Sequence, residues 1–436
     1  MQPKINLLKK IEFQILKNLG YTPTDEQKVA MAQSILNAVI GPTDTIVDAD
    51  MPSTMFGATL DWSAGGANDS VVSITIGGVT VTQDLDNPVN VEIGGSSEPT
   101  NLPFIFTVKT DNTGTVQSGS NQIKLPFYGL NLTGINPLVV DWGDGNSDDI
   151  LTSSDPAFTH TYTTAGTYDV SITNNNDTSM YVWPQFNWFT LADSDKVIDI
   201  KQWGAYKFRT TGGINLFNNC DNILSITATD EPDFSTNIET ANTFDRMFYM
   251  ADGFTGTGLD GWNVSGIESF QHMFNSATSF VGSSIINWDV SGGKNFYGML
   301  SVSSFNEDIS GWTTTNAENM GSMFGSNTAF NQDISGWDTS KVTNMLYMFN
   351  NASSFDQNLA SWDVSQVADM QEMFTNSGMS TANYSDTLIG WAAQSVQSNV
   401  TLGAGSIEYS SAAQSAHDTL VNTYGWTITD GGLEAN

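Results

Sequence analysis

Asp141, Asp144, Asp148 and Asp149 fall close together around a Trp142-Gly143-Asp144-Gly145 turn. Clustered carboxylates on a glycine-containing turn are hard oxygen donors of the kind calcium takes, at roughly six to eight per ion. Asp141, Asp144 and Asp148 are therefore the candidate calcium ligands, and calcium is the one cofactor that the sequence brings into view. The spacing is not that of an EF-hand loop, so the competing reading is a turn whose carboxylates serve its own backbone. The three histidines, His160, His272 and His417, lie in three separate stretches and form no pattern for a catalytic triad or a histidine metal site. Cys220 is the only cysteine, which excludes an intramolecular disulfide and a cysteine-rich zinc site; it reads as a small buried filler. Carboxylate pairs are plentiful, but none is marked out by position, and the glycine runs sit between strands rather than ahead of a helix as a phosphate loop requires. The residue types point to a protein that is not an enzyme.

Composition narrows the partners. The 436 residues carry 14 Lys and Arg against 47 Asp and Glu, a formal charge of -33. Five of the basic residues, Lys4, Lys9, Lys10, Lys17 and Lys28, crowd the N-terminus beside Glu12, Asp25 and Glu26. Everything beyond is strongly acidic and repels phosphate backbones and anionic lipid, so nucleic acid is not an expected partner. No run of 18 apolar residues exists, and no membrane span is expected. Hydrophobic residues at 39%, with 12 Trp and 24 Phe, supply ample material for burial over more than one structural unit.

The elements that would position these residues begin with two short amphipathic helices. Ile5, Leu8, Ile15, Leu16 and Leu19 fall near one stripe before Gly20, and Pro23, Asp25 and Glu26 open a second helix that runs to about Ile40. They are too small for a core of their own and read as an attachment or oligomerisation element, in which three chains bundling through residues 5–19 is one arrangement. Val71–Ile76 and Val79–Thr82 flank Gly77-Gly78 as a hairpin, and Asn90–Ile93 reads as a further strand. Phe104–Val108 alternates, Leu138–Val140 runs into the Trp-Gly-Asp-Gly turn, and His160-Thr161-Tyr162 and Gly166-Thr167-Tyr168-Asp169-Val170 follow in order. These three motifs resemble the PKD (polycystic kidney disease) domain. The resemblance implies a small immunoglobulin-like sandwich, used as a spacer or presenter in extracellular and virion proteins, with His160 in a structural hydrogen bond.

The second half is a repeat. Trp262, Trp288, Trp312, Trp337 and Trp362 recur every 24 to 26 residues, in step with Met247-Phe248, Met273-Phe274, Met299-Leu300, Met323-Phe324, Met348-Phe349 and Met373-Phe374, and with Phe280, Phe305, Phe330 and Phe355. Such periodicity marks a solenoid whose units bury their apolar faces on one another. Each unit is expected to hold one short strand, near Val342–Met345 in the clearest copy, and one helical turn formed by Met345, Met348 and Phe349. The recurring Asn331, Asp338 and Ser340 fit turns in which side chains bond the backbone. Phe330-Asn331-Gln332-Asp333-Ile334-Ser335-Gly336-Trp337-Asp338-Thr339-Ser340-Lys341-Val342 with its Met-Phe turn resembles the BspA-like surface-protein repeat, a relative of leucine-rich repeats. The resemblance covers roughly 215–380 and implies a protein of bacterial surfaces or of bacteriophage particles. Ala413, Ala416, Leu420 and Tyr424, ended by Gly425, form the helical stripe of a C-terminal cap.

The expected fold is a mainly β, multidomain chain: N-terminal helices (1–44), a small β domain (45–98), a PKD-like β-sandwich (99–180), a leucine-rich-repeat-like α/β solenoid (181–380) and a cap (381–436). The start of the chain shows neither the uninterrupted apolar stretch nor the small-residue cleavage site of a secretory signal. With the basic helical start and the β-to-solenoid order, this gives the expectation of a phage virion structural protein, a fibre or decoration, docked on other virion proteins through residues 1–44. A host-surface glycan or protein would then be the outward partner. The alternative is an extracellular adhesin of a bacterial cell surface, which the repeats support equally. Exposed residues that break the repeat, Tyr297 and Tyr347 among them, would mark a binding face.

Overall fold

In a computed structural model the described residues are the strands between 54 and 95, then 102–112, 118–125, 127–128, 138–150, 158–174, 185–186, 193–204, 216–232 and 243–435. The helices expected in residues 5–19 and 22–40 lie outside them. The chain divides into two compact units, Met1–Thr100 and Asn101–Asn436. Among the described residues it is mainly β, with few helices and no closed barrel.

In the first unit β1 (Thr54–Met55) pairs antiparallel with β2 (Ala58–Thr59). The strands β3 (Val71–Ile76), β4 (Val79–Asp84) and β5 (Val91–Gly95) form an antiparallel meander. Ile76 pairs with Val79, so only Gly77 and Gly78 connect β3 to β4, the short glycine connection that a two-residue hairpin needs.

The second unit opens with β6 (Phe104–Lys109), β7 (Gln122–Lys124), β8 (Phe127–Tyr128), β9 (Leu138–Asp141), β10 (Ser147–Ile150), β11 (Thr159–Thr161), β12 (Thr167–Asn174) and β13 (Gln185–Phe186), followed by β14 (Val197–Gln202) and β15 (Ser225–Ile226). Six of these make one sheet in the order β10-β9-β12-β6-β14-β15, while β11 pairs with β7 and β13 with β8. Alternation selects the buried face: Phe104, Phe106, Val108, Val140, Val170 and Ile172 point into the core. The sheet does not stop at residue 180. β14 runs antiparallel to β6, and β15 then pairs with β14 in parallel, handing the chain to the repeats. Buried residues from Phe104 to Trp426 accordingly form one continuous core.

A buried ion pair pins this junction. Lys196, fully buried, donates from Nζ to Ser118 Oγ (2.8 Å), Gly119 O (2.7 Å) and Gln122 O (2.9 Å), with Asp193 Oδ2 at 3.7 Å. Asp193 in turn accepts from the backbone N–H groups of Ser118 and Lys124 and from the Ser118 hydroxyl. The Lys196 ammonium spends all three donors, which is what allows a charge to be buried beside its carboxylate. Burial draws the Lys196 pKa below its ordinary value, and Asp193 opposes that shift.

Beyond β15 the chain forms stacked coils, one per repeat. Parallel bridges step through Thr243, Ser269, Asn295, Asn319, Asn344 and Asp369, one residue per coil. The expected strand is thus reduced to a single bridge, and the expected helical turn is a run of successive tight turns. Within it, alternate N–H groups go to two destinations. Those of Met247, Tyr249 and Ala251 close turns on Phe244, Arg246 and Phe248, while those of Phe244, Arg246, Phe248 and Met250 donate to Ser269, Gln271, Met273 and Asn275 of the next coil. The same four-bond ladder recurs from 270–276 to 295–301, from 296–302 to 319–325, from 320–326 to 344–350 and from 345–351 to 369–375. Serving the next coil turns two residues per coil left-handed: Arg246, His272, Gly298, Ser322, Tyr347 and Glu372 in one series, Met250, Ser276, Val302, Ser326, Asn351 and Asn376 in the other.

The side chains interlock in the same register. Indole Nε1–H of Trp288, Trp312, Trp337 and Trp362 donates to the carbonyls of Leu259, Ile285, Ile309 and Ile334 in the preceding coil, at 3.0 to 3.2 Å. Each acceptor lies three residues before that coil's own tryptophan. Trp312 and Trp337 stack at 6.3 Å, and Phe305, Phe330 and Phe355 stack at 6.2 Å. Each inter-coil Trp bond satisfies a buried indole N–H with the second lone pair of a carbonyl that already accepts its own coil's tryptophan N–H.

The last coil is closed by α1 (Thr381–Ala392) and α2 (Gln414–Tyr424), with parallel strand pairs β16 (Thr401–Gly403) to β18 (Thr427–Thr429) and β17 (Glu408–Tyr409) to β19 (Gly432–Leu433). Ser380 caps α1 by accepting from Asn383 N–H, and Asp356 holds Ser380 and Asn383 in place. Gly425 ends α2 left-handed, and Ala413 and Leu420 are buried on its inner side. Trp391 of α1 continues the series by donating to Leu359 O at 3.0 Å.

Two outcomes follow for stability. Trp337→Phe keeps the ring stack but removes the second of two hydrogen bonds to Ile309 O, which still takes Trp312 N–H at 3.1 Å; equilibrium denaturation should show a loss of about 0.5–1.5 kcal/mol. Lys196→Ala strands the buried Asp193 carboxylate and should cost about 3–5 kcal/mol in the same assay.

Candidate functional site

The Trp142-Gly143-Asp144-Gly145 turn joins β9 to β10, and each candidate calcium ligand is turned to a protein donor. Asp141 Oδ1 accepts from Gly143 N–H (2.9 Å), Asp144 Oδ1 from Asn146 N–H (3.0 Å), and Asp148 Oδ2 from the Trp142 indole N–H (2.8 Å). Asp144 Oδ2 lies 2.9 Å from His160 Nε2. His160 stacks on Trp142 at 4.7 Å and meets Tyr162 edge-on, and the Tyr162 hydroxyl donates to Trp142 O. Burial works to raise the Asp144 pKa, but the His160 and Asn146 hydrogen bonds prevail and hold it below the usual carboxylate range. Gly143 is left-handed, and a Cβ there would meet Asp169 O at 2.5 Å, so only glycine fits the turn. The three aspartates are not brought to a common centre, and among the described residues no group of three or more His, Cys, Asp or Glu converges as a metal site. His160 acts as a structural brace.

The recurring polar residues are also structural. Asp289, Asp308, Asp333 and Asp338 each accept the backbone N–H two residues on, from Ser291, Ser310, Ser335 and Ser340, and those bonds hold their pKa values below the ordinary one. Asn331 Oδ1 takes Asp356 N–H, as Asn306 Oδ1 takes Asn331 N–H, running a side-chain ladder across coils. Cys220 is fully buried, and burial pushes its thiol well above the ordinary pKa, so it is a filler and not a nucleophile. His417 stacks on Tyr409 in the cap at 4.5 Å, with Asp430 Oδ2 3.6 Å from its Nε2. The three histidines serve three different places.

The outer face of the turn ladder brings side chains of successive coils into one row. Arg246 lies over the Tyr249 ring with its guanidinium carbon 6.0 Å from the centroid. Tyr249 meets His272 edge-on at 6.1 Å, and His272 meets Tyr297 edge-on at 5.2 Å. Glycines on the next coils make room: a Cβ at Gly298 would meet His272 Nδ1 at 2.4 Å, and one at Gly321 would meet the Tyr297 ring at 2.9 Å. Asn275 Nδ2 lies 3.2 Å from His272 Nδ1, while its own Oδ1 accepts from the Ser276 hydroxyl. An amide N–H pointing at Nδ1 requires that nitrogen to accept, which leaves Nε2–H as the donor of a neutral ring. Burial, then the Arg246 charge, lowers the His272 pKa in the same sense, with Asp245 opposing. Tyr297 is half-buried in this row, and Tyr347 stands exposed two coils further on. The sequence singled out the two tyrosines and treated His272 as a variable slot; Arg246 was missed. Its signal was a large side chain in the slot that glycine occupies at 298.

Two outcomes test these assignments. Calorimetric titration with Ca2+ should give no saturable heat that Asp144→Asn removes; such a heat would restore the cation site. The turn aspartates have folded pKa values below the unfolded one, so their stabilisation is fully present above the unfolded pKa and is lost as pH falls through it towards the folded values. Melting temperature should therefore hold from neutral pH to about 5 and fall below about 4. Replacing Asp289, Asp308, Asp333 and Asp338 by Asn, the residue that already caps Ser265 at position 263, should flatten that acid limb.

The family described as Mycoplasma protein of unknown function, DUF285, matches residues 215–324 and 285–391. The match falls on the coils and α1, the region of the BspA-like resemblance, and the two repeat families are related. No curated protein and no solved structure gave a match.

Proposed function

We propose that the chain is a non-enzymatic structural protein of a phage virion, a fibre, appendage or decoration, attached through residues 1–44 and displaying a leucine-rich-repeat-like solenoid for surface recognition. A PKD-like sandwich would serve as the stalk that carries it, continuous with the solenoid through β14 and β15. The observation that carries the display reading is the stack itself. Its core is uniform from coil to coil, its far end is closed by α1 and α2, and its outer ladder face carries Arg246, Tyr249, His272 and Tyr297 in one row. A repeat that is constant inside and varied on one face suits a surface that contacts a partner.

The second reading is a bacterial cell-surface adhesin, and the match to a family described from Mycoplasma favours it. Peptide mass spectrometry on density-purified phage particles and on washed membranes of the same lysate separates the two. The virion reading expects enrichment in particles, with peptides from residues 1–44 retained. Enrichment in membranes would overturn it and place the adhesin first.

A further inference from the structure

The row Arg246–Tyr249–His272–Tyr297 has the composition of a ligand site rather than of a decorated surface, and the argument rests on the display reading above. Charge comes first. Between residues 216 and 436 the only Lys or Arg residues are Arg246, Lys294 and Lys341, in a protein of formal charge -33. Two of the three are engaged: Lys294 pairs with Glu268 at 2.9 Å, and Lys341 donates to Asn316 Oδ1 at 2.7 Å. Among the described residues Arg246 has neither an ion pair nor a hydrogen bond from its guanidinium, only the face of Tyr249. The nearest carboxylate in sequence, Asp245, already accepts on Oδ1 from the Ser269 hydroxyl (2.5 Å) and Gln271 N–H (3.1 Å). A guanidinium held against a ring with its donors open is arranged for a planar anion.

Backbone conformation gives an independent reason. Arg246 and His272 occupy the left-handed slot at φ of 57° and 56°, where Gly298 sits at 64° without strain. Large side chains are disfavoured there. Their presence is not required by the ladder, which Gly298 sustains equally well through its own N–H to Gly321. Ser322, Tyr347 and Glu372 fill the same slot on later coils, so what the slot supplies at 246 and 272 is placement: it sets a cation and an imidazole on one outward row. The third reason is the donor set. Across three successive coils the row offers one cation, two half-buried phenol rings and a neutral imidazole with Nε2–H as donor.

We infer that this row binds an acidic saccharide, a glycan unit that carries a carboxylate. The Arg246 guanidinium takes the carboxylate, Tyr249 and Tyr297 pack against the C–H face of the sugar ring, and His272 Nε2–H donates to a ring hydroxyl. A neutral sugar would leave Arg246 unanswered, and a free carboxylate would leave the tyrosines without a partner. Specificity thus requires both parts on one ligand.

The test uses the full chain on an array of matched oligosaccharides: sialyllactose against lactose, and glucuronate-containing disaccharides against their glucose counterparts, with calorimetry on those retained. Binding should be confined to the acidic member of a pair. Arg246→Gln should weaken it by at least about tenfold, as loss of a charge-assisted hydrogen bond does, and Tyr297→Ala should weaken it comparably with the melting temperature unchanged. Equal retention of acidic and neutral members, or acidic binding untouched by Arg246→Gln, overturns the inference. Binding of the full chain to host cells is measured in parallel. If wild type and Arg246→Gln bind cells alike, surface recognition stands and the acidic-saccharide site falls; if the wild type binds neither cells nor sugars, both fall.

Discussion

The inter-coil hydrogen bond is the interaction on which the rest of the second unit depends. Trp288, Trp312, Trp337 and Trp362 each donate the indole N–H to a carbonyl of the coil before, and the bonded carbonyl belongs to the turn that holds that coil's own tryptophan. A coil therefore completes its polar inventory only when its neighbour is in register. The aromatic stacks supply most of the apolar burial, but they would tolerate sliding; the indole bond and the four-rung N–H ladder do not. Order in one coil fixes the next.

The ladder also explains a backbone that would be unstable alone. Two left-handed residues per coil each cost about 1–2 kcal/mol for a side chain with a Cβ. Both positions return an N–H to the adjacent coil, so the strain is offset only in the stack. The same geometry turns the left-handed residues outward and buries the Met-Phe pair between them, which is how a uniform core comes to carry an outer face. A constant core and an outward row of side chains are two consequences of one backbone choice. The ends are consistent with this. β15 and Lys196 secure the front, and Asp356 gripping the start of α1 secures the back.

Much of this was legible in the sequence. The tryptophan and phenylalanine periods gave the core, and Asp338-Thr339-Ser340 gave the turn chemistry, because both are local patterns repeated in phase. The glycine hairpin at 77–78 and the structural part played by His160 were legible for the same reason. What escaped was long-range or conformational. A helical turn was expected from Met345, Met348 and Phe349 at i, i+3 and i+4, yet a chain of alternating turns places the same three residues inward, and only the partner coil decides between them. The boundary at 180 was drawn where motifs ended, whereas β14 continues the sheet through pairing with β6, some ninety residues earlier. The part played by Lys196 has no local signature, because its three acceptors come from the 118–122 segment. The aspartates at 141, 144 and 148 were legible as a turn cluster, but the partners of Asp144 and Asp148, chiefly His160 and the Trp142 indole, are set by the fold and not by the spacing.

The central claim is that the coils and the sheet of residues 101–436 stand or fall together through these bonds. Hydrogen exchange of the tryptophan indole protons, followed by NMR in native buffer, tests it most directly. The account predicts that Trp288, Trp312, Trp337, Trp362 and Trp391 exchange with one common free energy, shared by the β6 and β12 amides. A gradient of protection along the series, or early exchange of the sheet with the indoles still protected, would contradict it.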